Sequence, residues 1–159
     1  MDQIVIEPAT LDDLPRLTDL LGDLFAMEDD FQPDRTRQMR GLRLLLEQPN
    51  RGRVFVLRHN GTILAMINLL FTISTAEGGF VILLEDMIVD QEHRHHGFGD
   101  QLLTYAIHYA RQKDFLRITL LTDRINEESQ RFFKTHGFSE SHMIPLRLSL
   151  STRDPQAQQ

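Results

Sequence analysis

Between residues 53 and 122 the sequence alternates β-rich runs with glycine-bearing turns and one helical repeat, an order that leaves few folds open. Residues 53–59 and 62–73 are rich in β-branched and other apolar side chains and are joined by Asn60-Gly61. That dipeptide suits a two-residue hairpin turn in which both central residues take positive φ. A second turn, Ala76-Glu77-Gly78-Gly79, leads into an apolar run over 80–89 that reads as a strand covered on both faces. Only Glu85 and Asp86 interrupt it. Leu102, Leu103, Ala106, Ile107 and Ala110 then recur at helical spacing over 97–113, and 115–122 reads as another strand. Strand, loop, helix and strand form a βαβ-like unit joined to antiparallel hairpins.

The flanks add elements around this centre. Residues 3–7 alternate as a short strand that Pro8 interrupts. Thr10 and Asp13 have capping-box spacing, and Leu14, Leu17, Leu21, Leu24 and Phe25 follow at helical intervals. A second helix is expected from about Pro33 and Asp34 to about residue 48, stopped by Pro49-Asn50. Residues 126–136 predict a further helix ended by Gly137, and strands are expected near 138–143 and 146–150. Without a repeat or linker, 159 residues suit one domain over 1–150, with a polar tail over 151–159.

Twenty-three acidic residues against seventeen basic ones give a formal charge of -6, which argues against a nucleic-acid binder. The absence of cysteine excludes disulfides, thiolate metal ligands and a cysteine nucleophile. No run reaches the roughly 20 apolar residues of a membrane span, and residues 1–13 lack the pattern of a signal peptide. A cytoplasmic location without membrane association is the resulting expectation.

The stretch VDQEHRHHGFGDQLL, residues 89–103, could in principle bind a metal, a nucleotide or a phosphate. His93, His95 and His96 are close in sequence, but alternating side chains on a short loop diverge, and a metal site usually adds a carboxylate or another ligand and fixes each imidazole through a second-shell partner. No metal site is expected. Gly97 and Gly99 begin a G-x-G-x-x-G pattern whose third position is Leu102, and no Gly-Lys-Ser/Thr follows. What remains is Arg94-x-x-Gly97-x-Gly99 at a helix start, where unpaired backbone N–H groups and the helix dipole favour an anion such as pyrophosphate. From this loop alone, a glycine-containing turn that merely starts a helix is an equal reading.

The wider segment LLEDMIVDQEHRHHGFGDQLL, followed by NEESQRFFKTHGF, resembles the GNAT superfamily of acetyl-CoA-dependent N-acetyltransferases. The family pattern Arg/Gln-x-x-Gly-x-Gly/Ala is matched by Arg94, Gly97 and Gly99, after an E-[ED]-x-x-V strand ending. The motifs cover about residues 83–138, and the preceding elements fit the same order. The resemblance implies an α/β fold of α+β type, with a mixed, mainly antiparallel sheet flanked by helices and strands splayed at the acetyl-CoA site.

It also implies roles for residues. Backbone N–H groups of His95, His96, Gly97, Phe98, Gly99 and Asp100, with Gln101 as a further member, would hold the pyrophosphate beside Arg94. Met87, Ile88 and Val89 would pair with the pantetheine arm, and Ile88 or Val89 N–H would face the thioester oxygen. Asn126 would hydrogen-bond pantetheine, a role compatible with capping its helix. Glu85 is preferred to Asp86 as the base that deprotonates an amine, although a bulge could change which of the two faces the thioester. Where many members carry a tyrosine that protonates the leaving thiolate, this chain has Phe133, so Ser129, one turn earlier, becomes the candidate donor.

Glu28 and Asp29, with Asp86, suggest an acceptor subsite for a small cationic amine, against the plainer reading of a solvated acidic turn. The expected activity is acetyl transfer from acetyl-CoA to a primary amine without a metal. A coenzyme A-binding module with weak or lost catalysis, and a protein amine acetyltransferase, are the alternatives. A homodimer is a further family-based expectation.

Overall fold

A computed structural model of the chain describes residues 3–27 and 34–151. Five strands, β1 (Ile4–Pro8), β2 (Gly52–His59), β3 (Thr62–Ser74), β4 (Gly79–Val89) and β5 (Ile118–Leu120), form one sheet in the order β1-β2-β3-β4-β5. Pairing is antiparallel from β1 to β4 and parallel between β4 and β5. Four helices flank the sheet: α1 (Leu14–Met27), α2 (Arg35–Leu46), α3 (Phe98–Gln112) and α4 (Glu127–Thr135).

Local chemistry places most boundaries where the sequence predicts them. Asn60 and Gly61 take φ of 51° and 86° between paired His59 and Thr62, the turn that Asn-Gly favours. Thr10 N–H donates to Asp13 Oδ2 (2.9 Å), closing the capping box over a 3₁₀ turn that runs into α1. Asp34 caps α2 by accepting from the Arg37 N–H (3.1 Å).

Strand alternation divides the core between two faces. Phe55, Leu57, Ala65, Ile67 and Leu69 pack with Leu102, Leu103 and Ala106 of α3. Val54, Val56 and Met66 pack with Leu14, Leu17, Leu20 and Leu21 of α1 and Leu42 of α2. One inward row per face follows from the two-residue period of a strand.

Two expectations require correction. The strand expected over 115–122 is confined to Ile118–Leu120, paired with Ile82, Leu83 and Leu84 of β4; before it, single backbone bonds join Leu116 N–H to Phe80 O and Ile82 N–H to Arg117 O, and beyond Leu120 the pairing ends. Strands expected near 138–143 and 146–150 do not form: residues 138–151 carry no ladder, and Met143, Ile144, Leu146, Leu148 and Leu150 are 71–90% exposed. Alternation supplies one apolar face, but a strand also needs an edge to pair with.

Candidate functional site

The site begins at an irregularity in β4. Asn68 of β3 pairs with Asp86 and Leu69 with Leu84, so Glu85 is the extra residue of a β-bulge. The bulge reverses the parity of the strand. Ile82 and Leu84 face the α3 core before it, whereas Ile88 faces α1 and α2 after it. Asp86, two residues from Ile88, is thereby kept out of the α3 core and set opposite Asn68.

The pairing of β4 with β5 ends at Leu84 and Leu120, while pairing with β3 continues to Val89. Over Met87–Val89 the strand therefore has one open edge, the splay expected from the sequence. Asp90 N–H donates to Leu64 O (2.7 Å). Antiparallel alternation then turns Ile88 toward β3 and leaves the N–H and C=O groups of Met87 and Val89 on the open side. The Val89 carbonyl accepts there from Arg94 Nε at 3.3 Å.

The loop after β4 is anchored by Asp90, which accepts from Arg16 Nη2 of α1 (2.8 Å) and lies 2.9 Å from His93 Nδ1. The Arg16 guanidinium, then His93, hold the Asp90 carboxyl at about 2. His95 and Gly97 both have positive φ, 67° and 81°. Gly97 is the N-cap of α3 and provides no side-chain cap. The first N–H groups of α3 thus lack the usual side-chain acceptor and form an anion-facing end. A Cβ on Gly97 would meet nothing within 4 Å, but its left-handed backbone disfavours side chains there.

The opposite wall is α4. Asn126 Oδ1 accepts from Ser129 N–H (3.0 Å), so Asn126 caps the helix with its oxygen while the residue lines the space between the walls. Ser129 Oγ lies 3.0 Å from Thr122 Oγ1, linking α4 to the chain beyond β5. Phe133 stacks edge-on with Phe132 and Phe138 and lines the space between the walls.

Two clefts meet between these walls. The larger, about 370 Å³, runs along Met87, Ile88 and Val89 to Arg94, His95 and the first residues of α3. The smaller, about 120 Å³, bears Glu85, Asp86 and Asp123 beside Leu120, Leu121 and Thr122. Leu24, Met27, Met87, Asn126, Ser129 and Phe133 line both. No lysine, arginine or histidine lines the smaller one among the described residues.

The two adjacent carboxylates differ. Glu85 is exposed, whereas Asp86 is largely buried and accepts from Asn68 Nδ2 at 2.8 Å. Burial pushes the Asp86 carboxyl up to about 6; the Asn68 hydrogen bond opposes that rise and the charge of Glu85 adds to it. Asn68 is 2% exposed and its Oδ1 has no hydrogen-bond partner.

Met87, Ile88, Val89, Arg94, His95, Gly97, Phe98, Gly99, Asp100, Asn126 and Ser129 thus share one cleft, with Glu85 and Asp86 in the adjoining one. Gln101 lines neither cleft, and its N–H donates to Gly97 O (3.1 Å). His96 also lies outside the lining, with its ring 6.0 Å from that of Phe98. Glu28 and Asp29 fall outside the described residues. Sequence reasoning missed Asn68, Thr122 and Asp123. A lone asparagine in the apolar run 62–73 was the available signal for Asn68.

The description "Acetyltransferase (GNAT) family" belongs to a family model that matches residues 15–138. A structure described as a possible acetyltransferase from Clostridium difficile 630 superposes with a TM-score of 0.85 at 18% identity, covering 93% of this chain and 98% of the other. An aminoglycoside acetyltransferase from an uncultured soil metagenomic sample, in complex with sisomicin, gives 0.74 at 21% identity, covering 93% and 97%. The aminoglycoside N-acetyltransferase AAC(6')-Iy in complex with CoA gives 0.78 at 16% identity, covering 95% and 97%. No curated protein sequence matches the chain.

Proposed function

The chain belongs to the GNAT family of acetyltransferases, and on that premise we propose that it transfers an acetyl group from acetyl-CoA directly to the primary amine of a small cationic molecule. The observation that carries this reading is the junction of two unlike clefts: one ends at the N-terminus of α3, which has no side-chain cap, and the other bears three carboxylates and, among the described residues, no basic one.

Acetyl-CoA fits the larger cleft by chemistry. The positive end of α3, with Arg94 and His95 beside it, suits a pyrophosphate, and the open edge of β4 suits an amide-bearing arm. Asp100 in the first turn opposes a phosphate, but His136 Nε2 lies 2.7 Å from its Oδ1 and offers it a partner. When bound, acetyl-CoA supplies an activated acetyl thioester. Met87 and Val89 align the arm, the Val89 N–H is the donor toward the thioester oxygen, and the Asn126 amide holds the arm from the other wall.

In the smaller cleft, Glu85 and Asp123 attract and orient a cation. An amine near the basicity of lysine is mostly protonated at neutral pH and must lose a proton before it can attack. Asp86, with its carboxyl at about 6, is better poised to take that proton than exposed Glu85, which position in the motif favoured. The new N–C bond forms as the C–S bond breaks, and the Ser129 hydroxyl is the donor this wall offers to the leaving sulfur. Phe133 cannot donate.

Phe133 also favours a second reading, a coenzyme A-binding module with weak catalysis. Thiol release from acetyl-CoA over a panel of diamines, monoamines and neutral amines decides between them. Turnover that is greatest with multiply charged amines is expected. Binding of acetyl-CoA without turnover on any amine would leave only the binding module.

A further inference from the structure

Asn68 stands in β3 where the surroundings suit an apolar side chain. Met66 and its partner Ile88 belong to the core under α1 and α2; Asn68 and its partner Asp86 lie two residues along each strand and so face the same way. Asn68 is 2% exposed, and its amide recovers one side-chain hydrogen bond for the water it gives up. Nδ2 donates to Asp86 Oδ2 at 2.8 Å, while Oδ1 accepts from nothing. A buried amide with an unpaired oxygen costs stability that leucine or valine at this place would not. An asparagine serving the fold alone would use both ends of its amide. Here the single bond goes to Asp86.

Asn68 is also where the register changes. It pairs with Asp86 while Leu69 pairs with Leu84, so it lies across from the bulge that frees Asp86 to line the smaller cleft. With Oδ2 held by the amide, Oδ1 is the carboxylate oxygen without a protein partner among the described residues. Around that carboxylate stand Glu85 on β4 and Asp123 beyond β5, with uncharged Leu24 and Met27 from α1 and Asn126 and Ser129 at α4. The titratable members of that set are both acidic. Burial and the charge of Glu85 each favour the protonated carboxyl, and the Asn68 N–H is the group that opposes them.

We propose that Asn68 is a positioning residue for acetyl transfer: its Nδ2 fixes the Asp86 carboxylate opposite the bulge and keeps it ionised, and so able to take the amine proton, at neutral pH. The inference rests on Asp86 as the base. Asn68 itself lines neither cleft and acts through that carboxylate.

Two measurements on one group test it. The carbon-13 resonance of the Asp86 carboxyl, identified by its loss in Asp86→Asn, gives the titration in the full chain without substrate. The pH dependence of kcat/KM with acetyl-CoA and the diamine of the acceptor panel gives the limb seen in turnover. Asn68→Leu, similar in size and without a donor, is expected to move both midpoints upward from about 6. A hydrogen bond to a charged group corresponds to a shift of about one to two pH units, so kcat/KM at pH 6 should fall roughly five- to fifty-fold and recover by pH 9. A defect of packing would lower the rate equally at every pH. Asn68→Val gives the same two readings with a different side-chain shape, should leucine disturb the fold. A titration that stays at about 6 in both variants, or a loss of rate independent of pH, would overturn the proposal. A titration that moves while the limb in turnover stays would remove Asp86 as the base, and the role of Asn68 in transfer with it. A titration that stays while Asp86→Asn abolishes the limb would remove Asn68 alone.

Discussion

Replacing Asp86 with asparagine should make the protein more stable and less active at once. Its carboxyl lies at about 6 instead of 3.8, chiefly because burial opposes the charge. At about 1.4 kcal/mol per pH unit, holding that carboxylate ionised in the fold costs about 3 kcal/mol above pH 6. The folded state binds the proton more tightly than the unfolded chain, so the penalty is absent below about pH 4 and grows as pH rises to about 6. Asp86→Asn removes the penalty, and its side-chain carbonyl can still accept from Asn68. Urea unfolding at pH 7.5 should therefore show a gain approaching 3 kcal/mol that disappears near pH 4. In the wild type, kcat/KM should rise with pH through about 6 to a plateau. The variant should lose that limb and about 10²- to 10⁴-fold of its rate, the usual range for a positioned base. Glu85→Gln should keep the limb while raising KM for cationic amines. A variant of Asp86 with unchanged stability at pH 7.5 would refute the burial argument, and an unchanged pH limb would refute its role as base.

Gly97→Val should weaken coenzyme A binding at least tenfold by calorimetry, because φ of 81° disfavours a β-branched residue. Gly99→Ala should bind nearly as wild type, since its Cβ would meet Phe132 and Val89 at an ordinary 3.5 Å. The His95→Ala, His96→Ala pair should lose affinity only modestly, because backbone groups form the cradle; a larger loss than that of Gly97→Val would reverse this assignment. Phe133→Tyr should raise turnover in the steady state, and Ser129→Ala should lower it, if protonation of the leaving thiolate limits the rate. Arg16→Met should destabilise the fold by about 1 to 2 kcal/mol at neutral pH after allowance for solvent screening. Because the Asp90 carboxyl is depressed to about 2, that difference should shrink as acid denaturation is followed from about pH 4 down through pH 2.

Features governed by neighbouring residues were legible in the sequence. The Asn60-Gly61 turn, the Thr10 and Asp13 box and the glycine loop before α3 each depend on residues a few positions apart, and each occurs as expected. Features governed by distant partners were not. The bulge at Glu85 depends on the register of β3 against β4, so strand alternation alone could not place Asp86 opposite Asn68, 18 positions earlier. The choice between the two carboxylates consequently rested on motif position, whereas burial distinguishes them. The strands expected over 138–143 and 146–150 show the same limit from the other side. Their alternation is present, but a ladder needs a second edge, which a strand's own residues do not specify.

The most direct test of acetyl transfer to a cationic amine is product analysis after one incubation. The protein, acetyl-CoA labelled in its acetyl group and equal amounts of a diamine, a monoamine and a neutral alcohol of similar size would be mixed, and the labelled products identified by mass spectrometry. The label is predicted on a nitrogen of the diamine, in excess over the monoamine, with none on the alcohol. Label found only in free acetate, on the alcohol or on the protein itself would contradict the account.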